Sequence, residues 1–170
     1  MKEDATGLIM VHAHPYYDGR HTEDKVIEVL QKFGGTAYEL PAGDRTSYGR
    51  DQGLYDQALE EKAHGKLRPR DSKDLVRGHE KVLLGGGFAG GCMRNTYDSL
   101  KDERDLLSID TEIRVVPEVS YGGNYRFNKW KGRFDFGEIF TLEEIKDWDL
   151  EDLPARISEY LENENIESIL

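Results

Sequence analysis

Apolar residues along the chain fall into short runs and helical steps whose order predicts strand, helix, strand, and then the same again. Gly7-Leu8-Ile9-Met10-Val11-His12 is an apolar run that ends in polar residues and Pro15, the pattern of a buried strand feeding a loop. Thr22 caps the helix that follows, in which Val26, Ile27, Leu30 and Phe33 fall at i, i+1, i+4 and i+7 before Gly34-Gly35 stops it. Thr36–Leu40 reads as a second strand, which completes a βαβ unit with parallel strands and a right-handed crossover. Pro41–Arg70 interrupts the pattern as a long polar excursion with at most one helix, around Leu54–His64. Asp71 or Ser72 then caps a short helix to His79, and Lys81–Leu84 is a third strand running into the glycine-rich stretch Gly85–Gly91. A helix over Cys92–Leu107 and a strand over Glu112–Pro117 form the second βαβ unit. The predicted fold class is α/β, a three-layer α/β/α Rossmann-like arrangement with a mainly parallel sheet.

The remaining segments differ in kind. Over 121–140, Tyr125, Phe127, Trp130, Phe134 and Phe136 flank Lys131-Gly132, which predicts an aromatic β-hairpin inserted near the C-terminus. Thr141–Asp147 and Leu153–Leu161 read as helices of an acidic segment over 141–170. At 170 residues the whole chain, 1–170, is read as one domain, large enough to bury its own core. No apolar run is long enough for a membrane span, and Met1–Gly7 lacks the features of a signal peptide, so the expectation is a cytoplasmic protein with no membrane partner. The net charge of −11 is uneven: Glu138–Leu170 carries eleven acidic residues and two basic ones. This acidity argues against nucleic-acid binding, although Arg126, Lys129, Lys131 and Arg133 interleave with the aromatic residues. The hairpin is read instead as a flap over the glycine stretch or a dimer contact, and a homo-oligomer is left open.

Candidate chemistry gathers at the carboxyl ends of the first and third strands, where open α/β sheets bind ligands. One end carries His12 and His14, and the other carries Gly85–Gly91 and the single cysteine, Cys92. Gly85-Gly86-Gly87-Phe88-Ala89-Gly90 matches the GxGxxG of dinucleotide-binding folds, but Arg94 stands where a small residue is wanted. The acid that would hold a ribose, Glu118, lies too far along. His12 and His14 at i, i+2 have the spacing of a metal pair, yet no downstream set of acids and histidines completes a site. The expectation is therefore no metal and no cofactor.

A second alignment accounts for the cysteine. Gly86, five residues, Cys92-Met93-Arg94-Asn95-Thr96, a helix and Ile113–Glu118 resemble the isochorismatase-like cysteine hydrolases, whose pattern is a glycine, five residues, Cys-Val-x-x-Thr, a helix and a strand closing on an acid. The resemblance covers Lys81–Ser120 and implies a three-layer α/β fold, hydrolysis of a small amide-like or related substrate, and Cys92 as nucleophile. Such enzymes place an Asp at the end of strand one, where this chain has His12. They also use a Lys before the cysteine strand, which no motif nominates here. Apart from any family, a thiol at a helix N-terminus is favoured as thiolate by the dipole, and the N–H groups of Gly91 and Cys92 are candidate oxyanion donors. Two readings stay open. In one, Cys92 attacks while His12 or His14 moves the proton, with Gly86, Gly87, Phe88, Gly90, Gly91, Arg94 and Glu118 contacting the small-molecule substrate. In the other, the stretch over 85–91 grips a nucleotide or phosphate without cysteine chemistry, and Cys92 is a small buried hydrophobe.

Overall fold

The computed structural model describes residues 5–12, 23–40, 63–66, 71–128, 133–153, 155–162 and 165–170. Within them the chain forms β1 (Thr6–Val11), α1 (Glu23–Lys32), β2 (Thr36–Leu40) and β3 (Ala63–Lys66). A 3₁₀ turn (Ser72–Asp74), α2 (Leu75–Gly78), β4 (Lys81–Gly87), α3 (Cys92–Leu107) and β5 (Glu112–Asn128) come next. The last elements are β6 (Arg133–Thr141), α4 (Leu142–Ile145), a second 3₁₀ turn (Leu150–Asp152) and α5 (Ala155–Glu162). One sheet runs in the order β3-β2-β1-β4-β5-β6, parallel from β3 through β5, with β6 antiparallel to β5. The protein is α/β with a mainly parallel sheet, compatible with a Rossmann-like fold.

Alternation along β1 divides the core. Ile9 and Val11 pack with Met93, Tyr97 and Leu100 of α3 and with Leu142, Ile157 and Tyr160. Leu8 and Met10 pack with Val26, Val29 and Leu30 of α1. β1 is paired on both sides and buried on both faces, which is why its sequence is a continuous apolar run instead of an alternation.

Three elements depart from the sequence reading. The excursion over 41–70 contains β3, and Ala63 and His64, expected in a helix, lie in this strand; residues 54–62 of that expected helix fall outside the described residues. β3 pairs through its backbone with Ala37, Tyr38 and Glu39 at the edge of the sheet, and Ala63-His64-Gly65-Lys66 has no apolar period to announce it. β4 continues three residues past Leu84, so Gly85, Gly86 and Gly87 are strand and not loop. β5 does not stop at Pro117: its ladder with β4 passes from Leu84↔Val115 to Gly86↔Ser120, and the residues between form a bulge. Proline has no N–H for a ladder and is accommodated at such a bulge. Ser120 Oγ donates to the Val116 carbonyl at 2.7 Å across this irregularity.

β5 and β6 run antiparallel from Tyr121↔Thr141 to Asn128↔Arg133. The turn expected at Lys131-Gly132, and Trp130 with it, lies outside the described residues, as does Thr22. Thr141 caps α4 in a reciprocal box, its hydroxyl accepting the Glu144 N–H while the Glu144 carboxylate accepts the Thr141 N–H. Asn165–Leu170 returns along the free side of β5 before the bulge: Val115 donates to Asn165 O at 2.6 Å and Glu167 donates to Val115 O at 2.9 Å.

Candidate functional site

The chain leaves β1 toward β2 and β3 on one side, then returns to β4 and continues to β5 on the other. The sheet order therefore reverses between β1 and β4, the crevice at which open α/β sheets bind ligands. His12 follows β1 at this point, and Cys92 begins α3 after β4.

The close approach of β1 and β5 to β4 explains three of the glycines. Val11 pairs with Gly86, whose φ is +97°, and a Cβ there would stand 1.9 Å from Val11 O. A Cβ on Gly87 would stand 2.4 Å from the Tyr121 ring, and one on Gly85 would stand 2.9 Å from Met10 Sδ. Packing within the chain thus accounts for glycine at 85, 86 and 87 without a ligand. Gly90 and Gly91 differ, with the nearest atoms to an added Cβ at 3.8 and 3.7 Å. The loop they belong to is held from several directions. Ala89 N–H donates to Tyr121 O at 2.9 Å, Tyr160 Oη donates to Ala89 O at 3.0 Å, and Gly91 N–H donates to Phe88 O at 2.8 Å.

A cavity of about 170 Å³ opens at the switch point, lined by His12, Leu40, Ser72, Cys92, Asn95, Thr96 and Ser99. Cys92 is exposed, not a buried packing residue. Asn95, Thr96 and Ser99 succeed it at i+3, i+4 and i+7, so one face of α3 presents a polar stripe to the cavity. Thr96 Oγ1 donates to Cys92 O at 3.0 Å and Ser99 Oγ donates to Asn95 O at 2.9 Å. Arg156 of α5 donates to Asn95 Oδ1 at 3.0 Å.

His12 reaches this cavity by an irregular backbone. Val11 points toward α3, so strict alternation would send residue 12 to the opposite face with Leu8 and Met10. Instead His12 has φ +46°, in the left-handed region, which histidine enters more readily than most residues. Both of its main-chain groups are held: its N–H donates to Leu40 O at 2.8 Å and its carbonyl accepts the Tyr121 hydroxyl at 2.7 Å. Burial pushes the imidazole below its ordinary 6.5, which favours the neutral form of the ring.

Other residues picked out in the sequence stand elsewhere. Arg94 is buried away from the cavity against α5. It donates to Arg156 O at 3.0 Å and to the Glu159 carboxylate and lies in an ion pair with Asp98 at 2.9 Å, with its guanidinium over the rings of Tyr97 and Tyr160. Glu118 is buried in the bulge of β5, and its Oε1 accepts from Ser168 Oγ at 3.2 Å, Ile169 N–H at 2.7 Å and Leu170 N–H at 3.1 Å. It secures the segment alongside β5. Phe88 packs edge-on against Tyr121, with ring centroids 5.7 Å apart. His14 lies outside the described residues.

Sequence reasoning missed Ser72, Asn95, Ser99 and Tyr121. The stripe on α3 was legible as polar residues in helical register with Cys92; Ser72 and Tyr121 carry no local signal.

A larger cavity, of about 850 Å³, lies at the amino ends of the strands, around Ala5, Val76, His79, Ile109 and Thr111. Its polar groups serve the fold: Thr111 Oγ1 donates to Val76 O and lies 3.1 Å from His79 O, His79 meets the Tyr38 hydroxyl, and Arg77 pairs with Glu103. Among the described residues no helix is long and apolar enough to cross a membrane. Set against known proteins, the chain matches no protein-family model and no curated protein sequence.

Proposed function

We propose that the His12–Cys92 cavity is the active site of a cysteine-dependent hydrolase acting on a small amide-like or ester-like substrate, in a relative of the isochorismatase-like hydrolases. The observation that carries this reading is the presence of an exposed thiol and an imidazole, far apart in sequence, in the wall of one cavity. The Cys92 sulfur attacks the substrate carbonyl and its proton passes to His12, forming a tetrahedral intermediate. The intermediate collapses to a thioester as the leaving group departs with that proton. Water, deprotonated by His12, then attacks the thioester, releasing the acid and returning the proton to the thiol. The Cys92 N–H, in the first turn of α3 where backbone donors lack an intrahelical acceptor, is the oxyanion donor this reading requires. The Gly91 N–H is already bonded to Phe88 O. A three-layer arrangement with an aromatic flap over 121–140 and a cytoplasmic setting that keeps the thiol reduced complete the reading.

Alkylation tests it directly, because Cys92 is the one thiol. With iodoacetamide at pH 7, the folded protein should react at least about tenfold faster than the unfolded chain, and His12→Ala should remove that excess. The rate should fall on an acid limb lying below pH 6.5, as His12 takes up its proton. A screen of small amides and esters should give turnover that Cys92→Ala abolishes. Equal rates in folded and unfolded protein sink the nucleophile. Saturable phosphate or nucleotide binding that survives Cys92→Ala would support the binding role of residues 85–91 instead.

A further inference from the structure

Tyr121 does not line this cavity, yet it contacts both chain segments that lead into it. It is fully buried at the start of the antiparallel pairing of β5 with β6, and its hydroxyl donates to the carbonyl of His12 at 2.7 Å. Its ring occupies the side-chain space that Gly87 leaves empty and meets Phe88 edge-on. Its own carbonyl accepts the Ala89 N–H, and Phe88 O in turn receives the N–H groups of Gly91 and Met93, on either side of Cys92. One side chain therefore bonds to the turn that carries the imidazole and packs on the loop that presents the thiol.

We infer that Tyr121 is the positioning residue of the His12–Cys92 pair, its hydroxyl holding the left-handed turn that brings the His12 ring to the α3 side of the sheet. The inference rests on the proposed chemistry of His12 and Cys92, and its geometry explains what that chemistry leaves unexplained. An extended His12 would project to the far face, so the imidazole shares a cavity with Cys92 only while the turn is held. The Leu40 carbonyl fixes the amide side of His12, and the Tyr121 hydroxyl fixes the carbonyl side. Of the described residues lining the cavity, His12 and Cys92 are the titratable ones, so a change in the His12 titration reports the placement of its ring.

Tyr121→Phe removes the hydroxyl and keeps the ring against Gly87 and Phe88. The His12 titration is followed by NMR, assigned with His12→Asn, beside the iodoacetamide rate of Cys92 at pH 7. In Tyr121→Phe the His12 midpoint should rise toward 6.5 as the freed ring gains solvent. The alkylation rate should drop to that of His12→Ala, and the double variant should be no slower than either single one. An unchanged His12 midpoint overturns the positioning role, whatever happens at the thiol. A midpoint that moves while neither variant alters the alkylation rate confirms that Tyr121 places His12 and overturns the His12–Cys92 chemistry.

Discussion

Gly86 shows how much of this site is set by backbone geometry. Its φ of +97° and the 1.9 Å approach of an added Cβ to Val11 O mean that alanine must both strain the residue and push β1 and β4 apart. Gly86→Ala should cost about 3 kcal/mol in urea unfolding, from left-handed strain and overpacking together. Gly90→Ala, whose added Cβ would meet Ile157 at an ordinary contact distance of 3.8 Å, should change stability by less than about 0.5 kcal/mol. The contrast marks a limit of reading glycines from sequence. A glycine that lets a ligand approach and a glycine that lets a neighbouring strand approach are the same letter, and Gly85–Gly87 are of the second kind. Cys92 and His12 were legible because each adjoins a recognisable strand. Arg94 and Glu118 carry structural partners that the sequence does not announce: an ion pair to Glu159 for the first, the segment beside β5 for the second.

At the scale of elements, features set by periodicity were visible in the sequence and features set by pairing were not. α3 spans Cys92–Leu107 as its pattern predicts, and β1 and β2 fall on their apolar runs. β3 has no such run, and Pro117 hides the continuation of β5, because a bulge is a property of two strands together. The placement of α5 rests on side chains that no local pattern connects: Glu159 meets both Arg94 and Lys101 of α3. Hydrogen bonds from Lys101 and Arg94 hold the Glu159 carboxyl below its ordinary 4.5. The folded state then takes up this proton less readily than the unfolded chain. The stabilisation is fully present above pH 4.5 and is lost as pH falls through the lowered value. Glu159→Gln should therefore be less stable than the parent at pH 7, and the difference should shrink below pH 4.5, as followed by urea unfolding at a series of pH values. The carboxylate is part-exposed, so solvent screening keeps the effect to about 1 kcal/mol.

Across the whole molecule, part of the lopsided charge of the sequence is used in internal pairing. The acids near the C-terminus answer cations of the parallel-sheet unit: Glu143 pairs with Lys25, Glu159 with Arg94 and Lys101, and Glu167 with Lys81 and Arg114. The acidic stretch thus binds the last helices and the segment beside β5 to the rest of the fold, a role that net charge alone does not disclose. The α/β class was readable, since it arises from the order of strands and helices, whereas the sheet order that makes the switch point came only with the strand pairing. The reversal of strand order between β1 and β4 has a further consequence, in time. The cavity exists only once Val11 has found Gly86, a parallel pairing between distant stretches of the chain, and long-range parallel pairings form late. The lone thiol is then a stopwatch for that event. In refolding followed by short pulses of iodoacetamide, Cys92 should keep its unfolded-chain rate while helical signal returns, and should take on its native rate only in the slowest phase.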